Sequence, residues 1–142
     1  MAGGARVTAL VPDAAATRRS DVVVLVVPAD GGYLSVLRTA TAGLAARLKF
    51  SLEEIEDLRI AVDEACAMLI TLAGSRTEVT CQFDMVADAV TVSVSVPVTH
   101  RVTLPVEGSF SWQVLSALAG EVAAEDNDGR ITIRLTKRRS VG

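Results

Sequence analysis

From Val79 to Val96 the chain alternates apolar and polar residues with a period of two. Val79, Cys81, Phe83 and Met85 stand on one side of Ala87-Asp88, and Val90, Val92, Val94 and Val96 on the other. Successive side chains of a strand point to opposite faces, so two such runs across a short turn make an antiparallel pair with one apolar face. That face must be covered by another element that is apolar on one side. The chain is thereby limited to a sheet carrying a second layer.

Helices supply that layer. Leu34, Leu37, Leu44 and Leu48, with Ala40 and Ala45, fall on a helical stripe from about Gly32 to Leu48. Ser51 followed three residues later by Glu54 has the form of a capping box, and it opens a second helix. The apolar positions of that helix include Ile55, Leu58, Ala61, Val62, Ala65, Leu69 and Leu72, and it ends near Gly74. Ser109 or Ser111 caps a third helix to about Gly120, with Trp112, Val114, Leu115 and Leu118 as its apolar content. Two further strand signals flank these helices: β-branched Val22 to Val27, closed by Pro28, and a final hairpin joined by Asp126-Asn127-Asp128-Gly129. Pro97 to Pro105 reads as a loop. The order β, α, α, β, β, α, β, β predicts a two-layer α/β sandwich, with one mixed, mostly antiparallel sheet and the helices on one face.

At 142 residues the chain fits one domain. It divides into a flexible N-terminal leader (1–20), a folded domain (21–137) and a basic tail (138–142). Although half of the residues are hydrophobic, no apolar run reaches the roughly 20 residues that span a bilayer. No secretory apolar stretch precedes Asp21, so a cytoplasmic protein without membrane contact is expected. A net charge of −3 argues against a nucleic-acid binder, and Arg134, Lys137, Arg138 and Arg139 read as a solvated end. Cys66, Cys81 and the lone His100 offer no metal-ligand spacing, and both cysteines are expected as buried reduced thiols. A disulfide between them would need Cα atoms within about 7 Å, which sequence does not show.

The segment Leu58-Arg59-Ile60-Ala61-Val62-Asp63-Glu64-Ala65-Cys66 resembles the N-box helix of the anti-sigma factors and serine kinases of the RsbW and SpoIIAB type, within the GHKL ATPase superfamily. Gly108-Ser109-Phe110-Ser111-Trp112 is similar to the segment where that family leads from its second glycine box into a helix, and Asp128 to Leu135 to its last strand. The likeness covers roughly residues 21 to 137 and includes Val-Asp-Glu and Ser-Phe-Ser-Trp wording shared with mycobacterial anti-sigma-F proteins. It implies a histidine-kinase-like fold, a general base at Glu64, nucleotide positions at Met68, Gly108, Ser109 and Ser111, and ATP with magnesium as the family's cofactor. It further implies a homodimer whose partners are an alternative sigma factor and an anti-anti-sigma STAS protein. The sigma-binding surface would lie on the helix from Gly32 to Leu48, with Leu34, Leu37 and Arg38 as contacts.

The chain departs from the family pattern in three places. Four residues after the glutamate the family has a magnesium-ligating asparagine, and here the position is Met68, a soft thioether with little affinity for a hard cation. In place of the adenine-reading Asp-x-Gly-x-Gly box stands Ser95-Val96-Pro97-Val98-Thr99-His100, and there is no glycine between Gly74 and Gly108. Ser109-Phe110-Ser111 occupies the phosphate-cradling Gly-x-Gly, where side chains oppose a close backbone approach. Two function classes follow: an anti-sigma binding protein that needs no cofactor, and an ATP-dependent serine/threonine kinase acting on the antagonist. The missing asparagine, aspartate and glycines favour the first. In the plainer reading, Glu64 and Asp63 are solvated helix acids pairing with Arg59 or Arg38, Met68 is packing, and Phe110 and Trp112 fill the core rather than anchor a partner. Cys66 has no adjacent base to make it a redox switch, and His100 is an inert loop residue.

Overall fold

In the computed structural model, which describes residues 6–10, 21–74, 76–99 and 109–140, a six-stranded sheet carries three helices. The strands are β1 (Arg6–Leu10), β2 (Asp21–Pro28), β3 (Glu78–Val86), β4 (Ala89–Pro97), β5 (Glu121–Asp126) and β6 (Arg130–Arg138). The helices are α1 (Leu34–Arg47), α2 (Leu52–Ile70) and α3 (Phe110–Ala119). The sheet order is β1-β2-β3-β4-β6-β5. Every pairing among the described residues is antiparallel, which corrects the expected mixed sheet. The reason is that β6 returns from β5 by a tight hairpin and enters beside β4, so no pair needs a parallel crossover.

The period-two pattern decides which face is covered. Leu25, Val27, Val79, Cys81, Phe83, Val92, Val94, Val96, Ile131, Ile133 and Leu135 are all buried, and the register places them side by side on one face. They form one core with Leu58, Ala61, Val62, Ala65, Cys66 and Leu69, a stripe at helical spacing along α2. Helix α2 lies between α1 and α3 and also touches β4 and β6. Over β3, β4 and β6 the opposite face carries mostly polar side chains, and over β2 it carries Val22, Val24 and Val26. Arg130 Nε donates to Ser95 Oγ (3.1 Å) and its Nη2 to Thr80 Oγ1 (2.9 Å), while the Thr91 and Thr136 hydroxyls meet at 3.0 Å.

Local chemistry accounts for the boundaries. Ser51 Oγ accepts from the Glu54 N–H (3.1 Å) and Glu54 Oε1 accepts from the Ser51 N–H (2.8 Å), which completes the capping box of α2. Ser109, not Ser111, caps α3, accepting from the Trp112 N–H at 3.2 Å. The β5–β6 turn is Asp128-Gly129, with φ of 50° and 78° and reciprocal backbone bonds between Asn127 and Arg130. Two successive positive φ values match the twist of the strands, and Asp-Gly tolerates them.

Two expectations about the ends change. Residues 6–10, within the segment read as a flexible leader, form β1, paired with β2 from Arg6↔Val26 to Leu10↔Val22. The basic tail is tied back to the fold, because each of its charges finds an internal acceptor, although Arg138 itself stays exposed. Arg134 pairs with Glu125 (2.9 Å) and Arg138 with Glu121 (3.2 Å). Lys137 Nζ donates to the Leu118 carbonyl (2.8 Å) at the end of α3 and lies 3.8 Å from Asp57 on α2. Arg139 donates to the Leu48 carbonyl (3.1 Å), and the Ser140 N–H and hydroxyl both donate to Glu54 Oε2 (2.7 and 2.8 Å).

Glu54 thus accepts hydrogen bonds on both carboxylate oxygens. The Ser51 backbone N–H, then that of Ser140, hold its pKa at about 2, below the ordinary 4.5. A depressed carboxylate stabilises the fold above its unfolded pKa, and the contribution disappears as pH falls through the folded one. Native protein is therefore expected to lose stability between 4.5 and about 2, and Glu54→Gln to lose less over that window. Urea midpoints at about pH 6 and about pH 2.5 check this. Equal acid sensitivity of the two proteins would remove Glu54 from the account.

Candidate functional site

Helix α2 carries the sequence-derived candidates on two faces. The first carries Glu64 and Met68, four residues apart and so on one side of the helix. Glu64 is half-buried, and no hydrogen bond or ion pair joins it to another described residue. Met68 is also half-buried and packs against the hydrophobic core. The second face meets α1, where Arg38 Nε stands 3.3 Å from Asp63 Oδ1 and Arg59 Nη1 3.6 Å from Glu56 Oε1. Of the two acids considered, Asp63 is the one that pairs with an arginine. The Nε atoms of both arginines and Asp63 Oδ1 are out of contact with water without an aligned hydrogen bond, so the Arg38–Asp63 contact is a charge pair by proximity.

The remaining predicted residues are dispersed. Leu37, expected with Leu34 and Arg38 at a partner surface, is 1% exposed and belongs to the core, because it lies on the side of α1 that packs inward. Leu34 is partly buried against the same core, and Arg38 remains half-exposed. Phe110, expected in the core, is 80% exposed, because it occupies the first turn of α3 while Leu115 and Ala119 supply the inward face. Trp112 and Ser111 are half-buried. Gly108, His100 and most of the Pro97–Pro105 loop lie outside the described residues.

Both thiols are free and buried. Burial, and next the charge of Asp63, push the Cys66 pKa up to about 12. Burial likewise raises Cys81, with Cys66 as a second cause. A thiol so disfavoured as thiolate is a poor nucleophile.

No family model matches the chain. Among curated relatives, the serine-protein kinase RsbW of Bacillus subtilis is 29% identical over 138 residues, spanning 83% of this chain and 86% of the relative. The anti-sigma-F factor RsbW of Mycobacterium tuberculosis is 39% identical over 98 residues, spanning 68% of this chain and 56% of that protein. The chain is a relative of the RsbW proteins. The crystal structure of RsbU and RsbW domains from M. tuberculosis has the same fold, with a TM-score of 0.65 at 18% identity over 84% of this chain. This chain spans 33% of that longer one.

A serine kinase needs a nucleotide donor and a divalent cation that bridges its phosphates. The described residues of this RsbW-like site do not fit that pair. At the position where the family resemblance implies a magnesium ligand, Met68 offers a thioether packed against the core. Ser109 already uses its hydroxyl to cap α3. The segment in place of the adenine-reading box finishes β4: Val96 is fully buried, Pro97 pairs with Arg130, and the Val98 N–H donates to the Gly129 carbonyl at 2.8 Å. Among the described residues no cluster of three His, Cys, Asp or Glu side chains could hold a metal, and no helix is long and apolar enough to cross a membrane.

Proposed function

We propose that this chain is an anti-sigma factor that works without nucleotide. It sequesters an alternative RNA polymerase sigma factor of the sigma-F or sigma-B type, acting as a cytoplasmic homodimer in stress-responsive transcription. An anti-anti-sigma antagonist with a STAS-like domain releases it. The observation that carries this reading is Met68, packed against the core where the kinase fold places a magnesium ligand. Phosphoryl transfer depends on positioning and charge neutralisation, so a lone retained acid leaves little chemistry. Kinship to a named anti-sigma-F factor supports the binding role. On α1, Arg38 and Leu34 remain available to a partner, whereas Leu37 is withdrawn into the core.

One observation favours the alternative, an active serine/threonine kinase: Glu64, to which the family resemblance gives the general-base role, has no partner among the described residues. Titration calorimetry with Mg-ATP separates the two, with Glu64→Ala and Met68→Asn variants alongside. No saturable heat up to about 1 mM nucleotide is expected from the native protein. Saturable binding in the micromolar range would return the protein to the kinase class, with Glu64 as the base to test.

A further inference from the structure

The end of α1, the first residue of β2 and the end of β3 enclose a cleft of about 260 Å³, lined by Asp21, Arg47, Leu48, Met85, Val86 and Ala87. It shares no residue with the Glu64 and Met68 face of α2. Four of its six side chains are apolar, and the other two carry opposite charges. Asp21 breaks the pattern of its strand. Val23, Leu25 and Val27 face the helices, and Asp21 stands on that same side, opposite Met85 in the β2–β3 register. An acid on the apolar side of a strand adds nothing to the core, and such breaks of a local rule are expected at functional positions. Asp21 and Arg47 are exposed, and neither makes a hydrogen bond or ion pair with the other or with another described residue. The walls between them are fixed. The Arg139 N–H donates to the carbonyl of Asp88, next to Ala87 (2.7 Å), and Arg139 Nη1 donates to the Leu48 carbonyl (3.1 Å). One residue thus ties both walls together and sets the width of the cleft.

An apolar lining with a few placed polar groups is the anatomy of a small-molecule site, and drug-sized ligands occupy about 300–1,000 Å³. A cleft just under that range suits an amino acid rather than a nucleotide. An ammonium group only donates and an ionised carboxylate only accepts, so Asp21 complements the first and the Arg47 guanidinium, through paired N–H groups, the second. We propose that this cleft binds a small zwitterion of the amino-acid class, with its ammonium on Asp21, its carboxylate on Arg47 and its aliphatic body against Leu48, Met85 and Val86. Met85 is the adaptable member of that apolar surface, because its thioether chain adjusts to the shape laid on it. The proposal goes beyond the anti-sigma function and does not rest on it. Each charge is exposed and contributes a modest factor by itself, whereas the two together select a ligand that carries both.

The test titrates the full chain with L-leucine and with ε-aminocaproate, which carry the two charges at different spacings. Methyl NMR of the methionines reads the site. The chain has three methionines, and the Met85 signal is the one missing from Met85→Leu. For at least one probe, the Met85 signal is expected to move on a saturating isotherm with a midpoint below about 10 mM. The Met68 signal, from the far end of α2, should stay in place. Isocaproate and isoamylamine keep an aliphatic body and lack one charge each, and both should bind about fivefold more weakly or worse. Asp21→Asn and Arg47→Gln should each weaken the better probe by a similar factor. Lys49→Asn removes a positive charge two residues further on, outside the lining, and should leave the affinity within about twofold. Thermal unfolding of each variant excludes a folding defect. Midpoints above that limit for both probes would overturn the site, as would analogues with one charge binding as well as the zwitterions. Unchanged affinity in Asp21→Asn or Arg47→Gln would do the same. Equal weakening by Lys49→Asn would reduce the effect to net charge, and movement of Met68 alone would put the probe elsewhere, so either result rejects the cleft.

Discussion

Replacing Phe83 by alanine is expected to cost about 3–5 kcal/mol, a large share of the roughly 5–15 kcal/mol by which a folded domain is stable. Phe83 is the largest fully buried side chain, 1% exposed, on β3 in the middle of the sheet. Its register partners are Val23 on β2 and Val92 on β4. Removing the ring deletes transfer free energy and opens a hole that strands fixed by hydrogen bonds on both sides cannot close. The chain contains its own control. Phe110→Ala makes the same chemical change at an 80% exposed site, where surface substitutions stay within about 0.5 kcal/mol. Urea unfolding of both variants should therefore separate them by several kcal/mol. Similar losses at the two sites would mean that Phe110 is covered in solution, by a second copy of the chain or another segment.

The second large effect concerns the thiols. Cys66 and Cys81 are fully buried, one on α2 and the other on β3, and burial pushes both pKa values up. A thiol reagent at neutral pH should label them only through opening of the core. For a domain stable by even 5 kcal/mol that slows labelling by about three to four orders of magnitude relative to denatured protein. In increasing urea, labelling should rise in parallel with global unfolding, because both cysteines belong to the one core. Rapid labelling of Cys66 in native buffer would show that α2 separates from the sheet independently, and would reopen a redox role for it.

The parts of this fold legible in the sequence are those set by neighbours along the chain. The hairpin from Val79 to Val96 needs only its alternation, the start of α2 only Ser51 and Glu54, and the last turn only Asp128-Gly129. The shared face of Glu64 and Met68 follows from helical spacing, and with it the expectation that Met68 packs rather than ligates. What escaped depends on packing between distant segments. Arg139 reaches a carbonyl 91 residues away and Ser140 a carboxylate 86 residues away, so the basic end looked solvated. The cleft shared by Asp21 and Arg47 exists only once the end of α1 lies beside the start of β2. The family resemblance puts Leu37 on a partner surface, whereas its place on the apolar stripe points inward, where it is buried. The five-residue strand β1 is too short for its alternation to stand out from an alanine-rich surrounding.

Strand β6 enters the sheet between β4 and β5, although it is made after both. During synthesis the valine-rich β4 therefore has a partner on one side only until residues 130–138 have left the ribosome. Its other edge is open backbone beside Val92, Val94 and Val96, and such an edge invites pairing with another chain. The final hairpin cannot add strand by strand and must dock as a unit. A cell making this protein thus holds, for the time needed to add the last quarter of the domain, a nearly complete sheet with one adhesive side, and a holding chaperone or slow translation would act at that stage.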